Sequence, residues 1–583
     1  MKPRPVNLPS CRHLAMASLA LGLQSIQAAE LYWDLNGTTA NSGSAATGNW
    51  NGSTANWNSD STGGAGGTTT ATSAAADNLF FSSGTGYTST SSVVSITGTQ
   101  SANSISFEEG TVTIRSTGTI AFGSGSSEIN VASGRTGAIN SLVTGSNGLT
   151  KTGAGTLMLG TTTNSGGSGG IYNSGLTGTI TINEGRLVAG SNASNQNATN
   201  GQAISLGNTT GTAAATFSVN RNQDFNSSIT VNAGSTGVKR ISGGPGLAVN
   251  QSPTITGAIA LNDHVTLGNG SGGDVGGVNL SGVITGSKNI TVDGATQYTD
   301  ATTLGSIAVI RGASGSSFTG NVSINRGTLR IGNTGAIGTG TATVTTAVGS
   351  ALDLSNGGAA GSSISIAGLS NGTTTGGTVI NHATGTATAT LTLAGSSAYS
   401  YGGVIADGAT SKVGLTVNLG SSGSQTLTGD NSYTGNTIVS AGTLYVNGSL
   451  GNTAVSVGSN GTIGGTGSIG GSVAFADGAK LTINLADILT VSGPVSFANF
   501  GFDDLVDFDV ETAEVGTHTL LAGSSIDFTN VQNFGIENAF IRGDGYKAYF
   551  ESGSLAVVIA VPETSTFALT AVGGFALLRR RRR

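Results

Sequence analysis

Six carboxylates crowd into GFDDLVDFDVETAEVG at 501–516: Asp503, Asp504, Asp507, Asp509, Glu511 and Glu514. Paired carboxylates can act as general acid and base, and several together can hold Ca²⁺. Against both, Asp507, Asp509 and Glu511 alternate with Phe508 and Val510, which reads as a strand with one wet face. EF-hand spacing and its turn glycine are absent. GNGSGGDVGG (268–277) echoes a glycine-rich Ca²⁺ nonapeptide, but such sites need tandem copies and it occurs once, so it reads as a turn. His13, His264, His382 and His518 are isolated, none at metal-ligand spacing. Trp33, Trp50 and Trp57 stand near one another beside Tyr32, either as a platform for stacking on sugars or as large side chains covering the open end of an array.

No Gly-x-Ser-x-Gly in a strand-to-helix setting and no phosphate-binding glycine loop is found. Nothing in the sequence asks for a cofactor. Between residues 190 and 470 charge is sparse, and Lys239-Arg240 is the only adjacent basic pair there. Secreted β-helices that cleave polysaccharides gather carboxylates and basic groups in a groove, so the expectation is a protein that is not an enzyme. Nucleic acid is excluded as a partner for want of clustered Lys and Arg outside the two termini.

What could position such residues is set by composition. Of 583 residues, 97 are Gly, only 7 are Pro, 9% are charged and 37% are apolar. Gly without a three-residue period excludes collagen, and a positive mean hydropathy with little charge is not the signature of disorder. The pattern behind the composition is a drifting repeat: LTGTITINEGRLVA (176–189), FTGNVSINRGTLRI (318–331) and YTGNTIVSAGTLYV (433–446) align without gaps. Counting from zero, offsets four and six hold Ile180 and Ile182, Val322 and Ile324, then Thr437 and Val439. A Gly sits at nine, Leu at eleven, and another apolar residue at thirteen. Alternation that breaks at a Gly and resumes predicts two short strands joined by a tight bend, both burying one side. Two such strands cannot bury a face alone, so the units must stack. The fold class expected is all-β, a right-handed parallel β-helix or β-solenoid with irregular repeats.

GLTKTGAGTLMLG (148–160), SQTLTGDNSYTGNTIVSAGTLYVNG (424–448) and the opening YWDLNGTTANSGSAATGNWNGSTANW (32–57) resemble bacterial autotransporter-associated β-strand repeat proteins. The resemblance implies a secreted or surface-exposed β-helical protein of a diderm bacterium, and no reaction. The chain lacks the long alternating strands of a membrane β-barrel, so self-export across an outer membrane is not expected.

Both termini read as addresses. Residues 1–29 resemble a signal peptide with Lys2, Arg4 and Arg12 before the apolar Leu14–Leu23, cleaved after Ala28 or Ala29, which implies Sec-type export and signal peptidase as partners. Cys11, the only cysteine, precedes the apolar run instead of following it, which argues against lipidation and leaves the mature chain without disulfides. At the other end, VPETSTFALTAVGGFALLRRRRR (561–583) offers 15 apolar or small residues, about 22 Å as a helix against a bilayer core of about 30 Å. Arg579, Arg580, Arg581, Arg582 and Arg583 would stay cytoplasmic. The tail resembles a PEP-CTERM sorting signal: a C-terminal hydrophobic helix held transiently in the inner membrane, with Pro562-Glu563 read by an exosortase-like processing enzyme. Thr564 stands where the family's second proline would be. The divisions expected are signal peptide 1–29, N-terminal β cap region 30–110, β-solenoid 111–483, C-terminal β region 484–560 and sorting signal 561–583. The function expected is a structural or adhesive protein of the cell surface, outer membrane or extracellular matrix. The alternative is a polysaccharide-binding or polysaccharide-degrading β-helix, and exopolysaccharide is a partner under either.

Overall fold

Short strands of Val, Ile, Leu and Phe alternating with Thr and Ser stack in register into long parallel ladders. The computed structural model describes residues 28–562 apart from 83–86, 88–90, 126, 161–174, 191–200, 221–223, 246, 248–251, 269–276, 300–304, 334, 339, 356–360, 362, 372–374 and 524. Among the described residues there is no α-helix, and the only helical turns are Phe502–Asp504 and Ile536–Asn538. The segment expected as a hydrophobic C-terminal helix and all of the expected leader but Ala28 and Ala29 fall outside the described residues.

Between residues 204 and 310 each coil contributes three strands, one to each of three ladders. Ile204, Ile229, Ile259 and Ile284 form one column on the first ladder, 25, 30 and 25 residues apart. Phe217, Ile241, Leu267 and Val292 stack on the second. Phe225, Ile255, Leu280 and Ile310 stack on the third. Every one of these side chains is buried, and together they fill a narrow interior. Burying each is worth about 1.5–3 kcal/mol, so each rung carries its own stabilisation. Towards the C-terminus the coils tighten: Thr437, Val455 and Val473 are 18 residues apart.

The repeat forms the bend its alternation requires. Gly185, Gly327 and Gly442 all have positive φ, at 70°, 80° and 75°. The Gly at offset two has a different duty. A Cβ on Gly320 would lie 2.2 Å from the Lys288 carbonyl oxygen, and one on Gly435 2.3 Å from that of Val413. That position is glycine because the neighbouring coil's backbone occupies the space. The repeat is not, however, phased to one face. Leu187, at offset eleven of the first copy, stands in the same column as Ile324, at offset six of the second.

Both ends of the stack switch to antiparallel pairing. Glu30–Trp33 pairs in parallel with Asn78–Phe80 on one side and antiparallel with Trp57–Asn58 on the other. At the far end Gly516–Gly523 adds in parallel to Leu489–Val491, then pairs antiparallel with Leu555–Ala560, which pairs with Lys547–Glu551 and that with Phe540–Ile541.

Candidate interaction surface

The three tryptophans do not form a surface platform. Trp33, Trp50 and Trp57 are 0–1% exposed and meet edge to face around Phe81, with ring centroids 4.9–5.9 Å apart. The antiparallel pair at the chain's start folds them inward, so a sugar could not stack on them without opening that end. The Trp33 indole donates to the Ala46 carbonyl at 3.0 Å.

The acidic segment departs from the strand expected of it. Only Leu505–Val506 pairs as strand, and Asp507 follows in the left-handed region with φ 63°. Asp509 then closes a turn, accepting from the Glu511 N–H at 2.9 Å and the Thr512 hydroxyl at 3.0 Å. Phe508 and Val510 turn in against the core, so the alternation in the sequence marks a loop folded over apolar surface. Arg542 pins that loop, donating to the Ala513 and Glu511 carbonyls at 2.7 and 2.5 Å and to the Asp544 carboxylate at 2.9 Å. Among the described residues, no three His, Cys, Asp or Glu side chains are grouped to hold a metal. Of GNGSGGDVGG only Gly268 and Gly277 are described.

Of the residues assigned to the termini, Ala28, Ala29 and Pro562 are described and exposed, with Ala29 accepting from the Asn78 N–H immediately before the first strand. Glu563 and Arg579–Arg583 lie outside the described residues. No helix among the described residues is long and apolar enough to cross a membrane.

Sequence reading missed two buried charged sites. Lys151, from GLTKTGAGTLMLG, lies in the interior column between Ile129 and Ile182 and is fully buried. Its Nζ donates to the carbonyls of Thr152, Gly153 and Glu184 at 2.6, 2.6 and 3.2 Å. Desolvation pulls its pKa down to about 8, against a smaller pull upwards from Glu184. Alternation places Lys151 on the face of Leu149, with Thr150 and Thr152 outward, but a lysine among such residues reads as solvated until its column is known. On the third ladder Asp353 is also fully buried. Its carboxylate accepts from Arg330 Nε at 2.8 Å, the Ser355 hydroxyl and N–H at 2.9 Å each, and the His382 N–H at 3.0 Å. Desolvation, reinforced by Arg330 and opposed by Asp353, lowers the His382 pKa. With four donors satisfied, Asp353 is an anchor between coils, not a free base.

What faces solvent along much of the first ladder is hydroxyl. Thr150, Thr181, Ser205, Thr230 and Thr285 stand in one outward column, broken by Ala260, with rungs about 4.8 Å apart.

Residues 421–446 match the passenger-associated-transport-repeat family. The matched segment is one coil and the strand that opens the next: Ser424–Leu427, Asp430–Asn431 and Thr437–Val446, the end of which stacks on Ser424–Leu427. No curated protein matches the sequence. Among solved structures, the crystal structure of the Haemophilus influenzae Hap adhesin aligns over 83% of this chain and 64% of its own length, at 12% identity and a TM-score of 0.16. The chain thus spans less than two thirds of that adhesin chain, and the two backbones do not superpose as wholes. What the comparisons add to the fold is local and definite: this all-β parallel solenoid carries an autotransporter-type passenger repeat in one of its coils.

Proposed function

We propose that the chain is an exported, non-enzymatic β-helical protein of the cell surface or extracellular matrix, with a structural or adhesive role. The observation that carries this reading is a parallel solenoid closed at both ends whose first ladder turns a column of Thr and Ser outward, with the passenger repeat at 421–446 as support. A long, nearly neutral hydroxyl surface suits extended contact with polymers better than turnover of a small substrate. The degrading alternative has less to stand on, because the densest acidic segment folds into a turn pinned by Arg542. Purified protein on beads, tested for retention on neutral and acidic polysaccharides and for product release, checks this. Retention without released sugar is expected; turnover abolished by changing one carboxylate would replace this reading with an enzyme.

Export in this reading uses Sec-type translocation, signal peptidase cutting after Ala28 or Ala29, and an exosortase-like enzyme acting at Pro562-Glu563 while 564–578 sits in the inner membrane. Intact-mass measurement of protein recovered from cells checks both ends. A mature chain that begins near Glu30 and has lost Arg579–Arg583 is expected, and one still ending at Arg583 rules the sorting step out.

A further inference from the structure

One corner of the solenoid carries a charged pocket that the repeat does not explain. Between the first and second ladders, residues 232–238 bridge Ile229–Val231 to Lys239–Gly243, whereas in the next coil only 262–264 bridge Ile259–Leu261 to Val265–Leu267. The seven-residue loop therefore overhangs a three-residue turn. Under the overhang lies a pocket of about 360 Å³, lined by Ser235, Thr236, Val238, Lys239, Asp263 and His264 among others.

Its floor is built, not incidental. Lys239 is 3% exposed, with its aliphatic stem laid across Gly207, where a Cβ would come within 2.9 Å of it. Its Nζ spans two coils, donating to the Ser235 carbonyl at 2.5 Å and to Asp263 Oδ2 at 2.7 Å. Burial works to raise the Asp263 carboxyl, but the Lys239 hydrogen bond and the His264 N–H outweigh it and hold it ionised below the usual range. His264 Nδ1 accepts from the Asn289 N–H at 3.0 Å, which leaves the ring proton on Nε2 as a donor. The Ser235 hydroxyl, 4% exposed, has no hydrogen-bond partner. A buried hydroxyl without a partner is costly. Val238, 47% exposed, supplies an apolar wall.

We infer that this pocket binds a neutral sugar unit of a polysaccharide, the adhesive target of the surface function proposed above, on which this inference rests. Sugars present hydroxyls that both donate and accept beside an apolar C–H face. The pocket matches them with a carboxylate, an imidazole N–H, hydroxyls and a valine. Because Lys239 and Asp263 cancel, the pocket carries no net charge to recruit an anionic residue such as a uronate. Its size falls in the range of small-ligand sites.

The test uses the full mature chain and four probes by calorimetry: cello-, xylo- and malto-oligosaccharides, with oligogalacturonate as the acidic one. His264→Ala and Val238→Glu alter the pocket's rim at exposed positions, and Asp263→Asn alters its floor, with melting curves run on all three. Binding of at least one neutral oligosaccharide is expected, weakened tenfold or more by His264→Ala and by Val238→Glu at unchanged melting temperature. Neutral-sugar binding equal in all variants, binding of oligogalacturonate alone, or no binding of any probe would each overturn the pocket. Bead retention on polysaccharide, measured in parallel, separates the two levels. Variants retained as well as the parent leave the adhesive reading standing without this site, and a parent chain that is not retained removes that reading itself.

Discussion

Lys151 shows how one residue can set a pH dependence for the whole chain. Its pKa of about 8 when folded lies below the ordinary lysine value near 10.4, so between those values the unfolded chain binds more protons. Stability at this position therefore rises as pH climbs from about 8 to about 10.5, by about 3 kcal/mol, and is flat below pH 8. Lys151→Met keeps the stem's volume and removes the charge. Melting curves at pH 7 and pH 10 should show the parent gaining relative to Lys151→Met; a parallel response in both would mean that Lys151 titrates normally. A second residue-scale expectation concerns the buried hydroxyls that join the matched coil to the next one. Thr453 donates to the Gly435 carbonyl at 2.6 Å, so it accepts from Thr437 at 2.9 Å, which in turn accepts from Tyr433 at 2.7 Å. Tyr433 is only the head of that chain, and Tyr433→Phe should cost about 1 kcal/mol. Thr453→Val strands both the carbonyl and the Thr437 hydroxyl and should cost about 2–3 kcal/mol. Denaturant unfolding that ranks them the other way would contradict this donor order.

At the scale of elements, the strand–bend–strand unit was legible because its physics is local. Alternation, a glycine where φ must be positive and a glycine where a neighbouring coil presses in are all written in fourteen residues. Which ladder each strand joins was not, because that depends on how many residues the intervening loops spend. The first copy lays Ile180–Ile182 on the first ladder and the second lays Val322–Ile324 on the second, so the unit encodes a corner and not a face. The buried charges were illegible for related reasons: Lys151 takes an interior place that a lysine rarely holds, and Asp353 stands on the outer column beside Arg330, where only the folded chain around it shows that it is covered. The acidic segment misled because two-residue alternation over five positions can also be a turn with Phe508 and Val510 tucked under it. The bend itself gives a sharp expectation. At Gly442 a Cβ would stand 2.6 Å from Leu419 Cβ, in a backbone conformation that costs an alanine about 1–2 kcal/mol before any clash. Gly442→Ala should lower stability by about 2–4 kcal/mol, overpacking included. Gly543→Ala, with nothing within 4 Å, should leave it unchanged. Equal melting temperatures for the two variants would mean that the bend is not what fixes this coil.

A parallel solenoid is a sheet without a natural end, and its terminal rungs present unpaired backbone groups to any other chain. In this molecule both ends turn antiparallel, and each places its largest aromatics there. Trp33, Trp50, Trp57 and Phe81 close the first end, and Phe497, Phe500 and Phe550 gather at the last, with centroids of 4.6 and 5.9 Å between successive pairs. The outermost strand at the far end, Phe540–Ile541, is two residues long, too short to template much pairing. Arg542 follows it directly and ties it to the loop at 511–513. These features cover the terminal rungs and leave the hydroxyl column of the first ladder along the side of the stack. A chain ending at residue 500 would lose the antiparallel closure and leave the rungs at Leu489–Val491 and Val495–Phe497 open along one edge. Light scattering of that truncated chain should show concentration-dependent association, where the full chain stays monodisperse. Arg542→Ala, which loosens the closure without removing it, should fall between them. A truncated chain that remains monomeric at the same concentration would show that the ends do not need their caps, and that the aromatic clusters serve stability alone.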